Sequence, residues 1–273
     1  MAPSKTPGIG FPKSSMNYTS IQTALKHLPL GGLRYFEQVG STNDLALQWA
    51  DEKNAQDYSL VLANEQIAGR GRNGRAWQTP PDSALAMSLI LLPTLNETKN
   101  LALFTALGTL ALVTTLHKTY GLDAKIKWPN DVLINDKKVA GILVEANWHG
   151  DKPSAVILGM GVNIHHQAVP PAHETLFPAT SLEDALGKPV RRLNILEDLL
   201  HELIIWRPKV GTDEMVSAWD EHLAHKGQQV EIQGRDGHVI QGKLLGINHD
   251  GSLRLNTADS IHFGDVHLRP RRV

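Results

Sequence analysis

Glycine and arginine alternate through Gly69-Arg70-Gly71-Arg72-Asn73-Gly74-Arg75, just ahead of Trp77 and the breaker pair Pro80-Pro81. Glycine lets backbone approach a bulky anion, and each arginine brings a fork of donors that stays charged at any physiological pH. Together they describe an anion cradle. Two familiar phosphate motifs come close and fail. Gly69, Gly71 and Gly74 satisfy the spacing of a dinucleotide fingerprint, but Ala76-Trp77-Gln78-Thr79-Pro80-Pro81 cannot open the helix it requires. Gly69 and Gly74 also have the spacing of a Walker A loop, yet Arg75-Ala76 stand where its lysine and hydroxyl should be. The loop alone leaves open a solvated basic segment and an arginine-glycine segment that binds RNA through charge and stacking.

Other polar groups gather at element ends. Ser41-Thr42-Asn43-Asp44 can cap the helix running through Leu45, Leu47 and Trp49, and a helix amino terminus offers free backbone donors to a polar ligand. Tyr58 to Ala63 is a short apolar strand that delivers Gln66 to a strand end, where ligands are commonly read. Lys125-Ile126-Lys127-Trp128-Pro129-Asn130-Asp131 places two lysines, an amide and a carboxylate in one polar break. The histidines are weaker signals. His165, His166 and His173 lack a carboxylate or cysteine at ligand spacing, and Ile205 stands where a zinc-protease helix begun by His201-Glu202 would need its second histidine. His201 and Glu202 read as helix-surface residues.

Composition removes whole classes of function. The 273 residues, 41% of them apolar, suit one large domain and a small one. The 27 basic and 28 acidic residues nearly cancel, so no overall field recruits nucleic acid or an anionic membrane. The absence of cysteine excludes disulfides, thiolate metal sites and cysteine nucleophiles, and fits a cytoplasmic location. No secretory core is visible among the prolines and glycines of residues 1–16. The apolar stretch 101–116 is interrupted by threonines and a glycine and reads as too short to span a bilayer.

The elements that must position these groups follow from periodicity. Residues 33–39, 58–63, 83–92 and 155–160 read as strands, and 101–120 as a packing helix stopped by Gly121. Val132-Leu133-Ile134 and Lys138 to Glu145 form a hairpin about Asn135-Asp136-Lys137. In plain strand geometry Lys138, Ala140 and Ile142 share one face, and Gly141 suggests close approach by another group. Asn194 can cap a helix over 195–206 with Glu197 in the box position, and 213–225 gives a second amphipathic helix. Short β segments then follow at 229–233, 238–245, 252–256 and 260–263, separated by turns that include Arg235-Asp236-Gly237, so a domain boundary is placed near residue 226.

In order along the chain stand Ser41-Thr42-Asn43, Gln66, the loop 69–75, Lys127-Trp128-Pro129-Asn130-Asp131, Lys138-Val139-Ala140-Gly141 and Gly159-Met160-Gly161-Val162-Asn163. Across roughly residues 33–270 this resembles biotin protein ligase, also called biotin-[acetyl-CoA-carboxylase] ligase. Each motif alone is weak, and the set in register is specific. The resemblance implies an α+β catalytic domain with a mixed sheet over 33–225, related to class II aminoacyl-tRNA synthetases and lipoate ligases. It also implies a small SH3-like β-barrel over 226–273, with 1–32 as a flexible extension.

The same resemblance implies ATP-dependent activation of biotin to biotinoyl-5'-AMP, with Mg2+, and transfer to a lysine of a biotin carboxyl carrier protein. Ser41, Thr42, Asn43 and Gln66 then hold the biotin end, while Arg70, Gly71 and Arg72 wrap its carboxylate and the α-phosphate. Lys138 lies where the two meet and is catalytic together with Arg72. The ATP side falls to Arg72, Arg75, Trp77, Asn130, Asp131, Asn163 and Arg269, with Asp131 as the metal contact. Family members that act as repressors carry an amino-terminal helix-turn-helix, for which the residues ahead of the first strand leave little room, so DNA binding is not expected. A homodimer through an exposed sheet edge is compatible with the sequence. A lipoate-type ligase shares the fold and the lysine-glycine pairing, and an RNA-binding module is the reading from another class.

Overall fold

The strand Ala84–Leu91 is buried at every position, which a strand can be only when both faces of its sheet are covered. The computed structural model describes residues 16–52, 54–175, 177–233, 238–262 and 267–270. In chain order a short helix α1 (Tyr18–Leu25) leads to strand β1 (Gly32–Val39), helix α2 (Thr42–Asp51) and strands β2 (Ser59–Gln66) and β3 (Ala84–Leu91). Helix α3 (Phe104–Tyr120) follows, then β4 (Ala124–Lys127), β5 (Asp131–Ile134), β6 (Lys137–His149) and β7 (Lys152–Asn163). The sheet order is β1-β2-β3-β7-β6-β5-β4, with β1 and β2 parallel and every other pair antiparallel. The fold is therefore α+β about a mixed sheet.

Period-two alternation sorts the side chains of this sheet. Leu60, Leu62, Leu89, Leu91, Val156 and Leu158 join the main core beneath α3, whereas Val61, Ile90, Ala155 and Ile157 pack on Ala46 and Trp49 of α2. Farther along β7 the α2 side carries Gly159 and Gly161 ahead of the terminal Asn163, so the strand offers no side chain of its own at the two glycines. That bare strip becomes the floor of the cleft described below.

Helices α4 (Leu182–Leu186), α5 (Arg192–Trp206) and α6 (Asp213–Glu221) complete the layer around α3. Strands β8 (Gln229–Gln233), β9 (Val239–Ile247), β10 (Leu253–Leu255), β11 (Ala258–Ile261) and β12 (His267–Pro270) form a second, fully antiparallel sheet in the order β11-β10-β9-β8-β12, the small SH3-like unit. Its inward residues Val230, Ile232, Leu244 and Leu253 belong to the same continuous core as Trp128 and Trp219. The indole of Trp128 donates to the Gly251 carbonyl at 2.9 Å, tying the second sheet to the first.

Several expectations change. Residues 18–32 are not a flexible extension: Asn17 and Ser20 make a reciprocal capping box, and Ile21 and Leu25 of α1 are buried against the main core. The earlier part, 1–15, lies outside the described residues, as do the Arg235-Asp236-Gly237 turn and Phe263. Helix α5 begins at Arg192, not behind an Asn194 cap, because Arg192 is buried and bonded to Asp82, Asn64 and the Ala84 carbonyl. Helix α6 stops at Glu221, because the following residues pair with β4, where Leu223 bridges Ile126. Glu202 is buried and paired with Lys118 at 2.9 Å, so only its neighbour His201 is a surface residue.

By length and composition the longer stretch Glu97–Tyr120 is apolar enough to cross a membrane. In the fold it is a 3-10 segment, itself kinked at Asn100, that runs into α3, and the apolar residues from Leu103 to Val113 are buried in the core. This is the central helix of a packed domain.

Candidate active site

A cleft of about 900 Å3, including its open mouth, lies over the bare strip of the sheet. The amino terminus of α2, the 69–77 loop and the β4–β5 turn wall it.

The α2 end is a closed hydrogen-bond system. Ser41 occupies the N-cap position but its side chain makes no cap bond. Instead Gln66 Oε1 accepts from the Thr42 backbone N–H at 2.8 Å and from Thr42 Oγ1 at 3.0 Å, so a strand end satisfies the helix donor. Ser88 Oγ lies 2.8 Å from Thr42 Oγ1 and 2.6 Å from Asn43 Oδ1. Asn43 Nδ2 donates to Glu145 Oε2 at 2.7 Å and to the Leu143 carbonyl at 3.3 Å. Gly159 is required beneath it, because a Cβ there would stand 2.1 Å from Asn43 Oδ1.

The glycine-arginine loop is a narrow hairpin. Arg70 bridges Ala76, the Trp77 N–H donates to Gly69 O at 2.8 Å, and the Gly71 N–H donates to Arg75 O at 2.7 Å. Left-handed φ values at Asn73 (62°) and Gly74 (71°) close the tip. Arg70 is held by carboxylates on both sides, with Nη1 and Nη2 each 3.0 Å from a different oxygen of Glu145 and Nη2 2.5 Å from Asp44 Oδ1. Its hydrogen bonds to Glu145 raise the guanidinium pKa above the ordinary value against the opposing effect of burial. Arg72 instead reaches across the cleft to Asn130 Oδ1 at 3.3 Å.

Trp77 lies flat against the strip. A Cβ on Gly161 would come within 2.3 Å of its Nε1, and one on Gly141 within 3.2 Å of its Cζ3. The indole N–H is buried without a hydrogen-bond partner among the described residues.

Lys138 arrives by a bulge. The β5–β6 register slips between Val132 and Leu133, which face Ala140 and Lys138 and leave Val139 as the extra residue. Lys138 therefore does not share a face with Ala140 and Ile142. Ala140 and Ile142 enter the core, and Lys138 Nζ reaches the cleft face, 3.2 Å from where a Gly141 Cβ would be. There it pairs with Asp131 Oδ1 at 2.7 Å and stands 5.3 Å from the Trp77 ring centroid. Lys127, also buried, lies 3.9 Å from Asp131 Oδ2 and 3.3 Å from the Phe177 ring centroid.

The cleft thus brings together Ser41, Thr42, Asn43, Gln66, Arg70, Gly71, Arg72, Arg75, Trp77, Asn130, Asp131 and Lys138. Two expected members stand outside its lining. Asn163 follows Gly159 and Gly161 on the same face of β7 but is buried at the strand end, where its Nδ2 donates to Thr180 O at 3.1 Å, and the Thr180 N–H in turn donates to Lys138 O. Arg269 sits on β12 in register with Glu231. Sequence reasoning gave no site role to Lys127, Ser88 and Glu145. The recurrence of glycine at 141, 159 and 161, every second residue on β7, was the available signal for the floor. No group of three histidines or carboxylates suited to a metal occurs among the described residues.

Comparison with known proteins agrees with this geometry. Residues 35–163 match the biotin/lipoate A/B protein ligase family, and residues 225–269 match the biotin protein ligase C terminal domain. The chain is 35% identical over 225 residues to the biotin--[acetyl-CoA-carboxylase] ligase of Paracoccus denitrificans, covering 80% of this chain and 91% of that protein. It is 32% identical over 253 residues to the bifunctional ligase/repressor BirA of Bacillus subtilis, covering 90% of this chain and 76% of the relative. In structure it is similar to the Aquifex aeolicus biotin protein ligase in complex with biotin and ATP, with a TM-score of 0.75, 27% identity, and 88% of this chain and 99% of that chain covered. With both segments matched and identity sustained across most of its length, the chain belongs to the biotin protein ligase family.

Proposed function

We propose that the protein activates biotin with ATP to biotinoyl-5'-AMP and transfers the biotinoyl group to one lysine of the biotin carboxyl carrier protein of acetyl-CoA carboxylase. The observation that carries this is the layout of the cleft. Polar groups of Thr42, Asn43 and Gln66 line one end, the Trp77 indole covers the other, and the cations Arg72 and Lys138 stand along the path between them. Biotin's ring is a cyclic urea with two N–H donors, which suits the acceptor oxygen of Asn43. Trp77, Asn130 and Arg75 are assigned to the nucleotide, and Arg269 is assigned to it from the second sheet.

The chemistry explains the charge. The carboxylate of biotin attacks the α-phosphorus of ATP, a new acyl O–P bond forms, and the bond to pyrophosphate breaks. Two anions must meet, and negative charge then spreads over the phosphoryl oxygens. Arg72 and Lys138 offset the repulsion from fixed positions in a partly enclosed cleft, where preorganised cations act more strongly than in water. In the second step the carrier lysine's amine attacks the acyl carbon and AMP leaves. No enzyme nucleophile is needed. Asn163 contributes from the end of β7, by fixing the segment that hydrogen-bonds to the Lys138 backbone.

Magnesium fits as an ion carried in on the triphosphate, a mode that needs only one or two carboxylates from the protein. Asp131 is the residue that would hold it, as a carboxylate in the cleft lining, shared there with Lys138 at 2.7 Å. The ion would neutralise phosphate charge.

Incubation of the protein with ATP, biotin and a biotin carboxyl carrier protein tests the assignment, read by mass spectrometry of the carrier. A single biotinoyl adduct on one lysine, dependent on both small molecules, is expected. Modification only when lipoate replaces biotin would reassign the chain to the lipoate-type ligases, and no adduct with either acid would overturn the proposal.

A further inference from the structure

Glu145 joins two parts of the site that are far apart in sequence. Its Oε2 accepts from Asn43 Nδ2 at 2.7 Å and from Arg70 Nη2 at 3.0 Å, while Oε1 accepts from Arg70 Nη1 at 3.0 Å. We propose that Glu145 is a positioning residue which orients the Asn43 amide and latches the arginine loop to the amino terminus of α2, and that Arg70 serves this latch rather than binding the substrate's acid group. The choice of biotin as probe rests on the function proposed above.

Three features carry the inference. With Nδ2 held by Glu145 and the Leu143 carbonyl, Asn43 lays its amide over Gly159 and must turn Oδ1 toward Ser88, so it presents an acceptor beside the cleft floor. The reverse orientation would set Oδ1 against a carboxylate oxygen. Arg70, for its part, directs both terminal nitrogens at carboxylates, a bidentate pair with Glu145 and a further bond to Asp44. Arg70 also bridges Ala76 at the base of the loop hairpin, so fixing it fixes the arm that carries Arg72. The acceptor in the pocket and the cation over it are thereby set by one carboxylate.

Glutamine at 145 is a sharp probe, because both oxygens of Glu145 accept. Either orientation of the amide places an NH2 against an N–H donor. Glu145→Gln is expected to raise the biotin KM in ATP–pyrophosphate exchange by roughly tenfold or more, as for the loss of charge-assisted hydrogen bonds, with kcat less affected. It should also speed tryptic cutting after Arg72 and Arg75 in the ligand-free protein, a reading independent of the substrate. Arg70→Gln removes the latch from its exposed end, should reproduce both effects, and stands in if the Glu145 variant does not fold. The double variant should be no worse than the worse single one. An unchanged KM and unchanged cutting in a folded Glu145→Gln or Arg70→Gln protein would overturn the latch, as would additive effects. Failure of the wild type to exchange with biotin would instead refute the substrate, and loop cutting would still decide the latch.

Discussion

Arg72 and Lys138 are the two cations whose removal costs most under this account. Alanine at either position should lower kcat for adenylate formation by about 2–4 kcal/mol of transition-state stabilisation, the range seen for lost oxyanion donors. Single-turnover measurement of adenylate formation checks it. The floor glycines separate the two substrates. Gly159→Ala places a methyl 2.1 Å from Asn43 Oδ1 and should raise the KM for biotin, whereas Gly161→Ala places one 2.3 Å from Trp77 Nε1 and should raise the KM for ATP. Measuring both constants in both variants tests the division of the cleft, which is contradicted if the two respond alike. At this scale the residue types were legible: guanidinium, amide and carboxylate sit where their motifs place them. The partners were not, because Glu145 carries no motif and a strand carboxylate reads as a solvated edge until its neighbours across the sheet are known.

The loop 69–77 is the element that must admit ATP and then close over the adenylate. Its tip residues Arg72 and Asn73 stand partly in solvent. Protease cutting in this loop should slow when biotin or the adenylate binds. Equal cutting rates with and without ligand would count against that closure. The site's elements were read from the sequence unevenly. Strand ends and the start of α2 follow from apolar runs broken by small polar residues, so the cleft's position could be inferred. The β6 bulge could not, since one extra residue in a strand leaves no mark in composition, yet it decides which face Lys138 takes. Likewise Arg192 starts α5 because the Asp82 carboxylate, the Asn64 amide oxygen and the Ala84 carbonyl, all distant in sequence, receive it, a tertiary effect that overrode the local Asn194 signal.

Across the whole molecule, the two sheets share one core, with Trp128 of the active-site motif hydrogen-bonded to Gly251 of the second sheet. A change in composition after residue 226 suggested separate units, but the shared core depends on side chains meeting across long sequence separation, which no local pattern shows. A second buried tie is the Arg207 cluster, bonded to Glu97 and Asp57 beside the end of β3. Burial alone would raise the Glu97 carboxyl, but hydrogen bonds from Arg207 and Thr94 outweigh it and hold the pKa below the ordinary 4.5. A carboxyl with a depressed folded pKa adds stability that is fully present above the unfolded value and is lost as pH falls through the folded one. Glu97→Gln should therefore be less stable than wild type at neutral pH, with the gap narrowing as pH falls below about 4.5. Denaturant unfolding from pH 3 to 7, an interval chosen to bracket roughly the carboxylate range, reads this. Arg207→Met should cost about 3–5 kcal/mol by stranding Glu97 in a buried position.

The central claim is that cations on the loop and on β6 join biotin's acid to a nucleotide, and pyrophosphate exchange into ATP with biotin as the sole acid reports that step alone. Exchange that requires biotin, and collapses in Arg72→Ala and Lys138→Ala, is the result predicted. Exchange that ignores biotin, or persists undiminished in both variants, would contradict it.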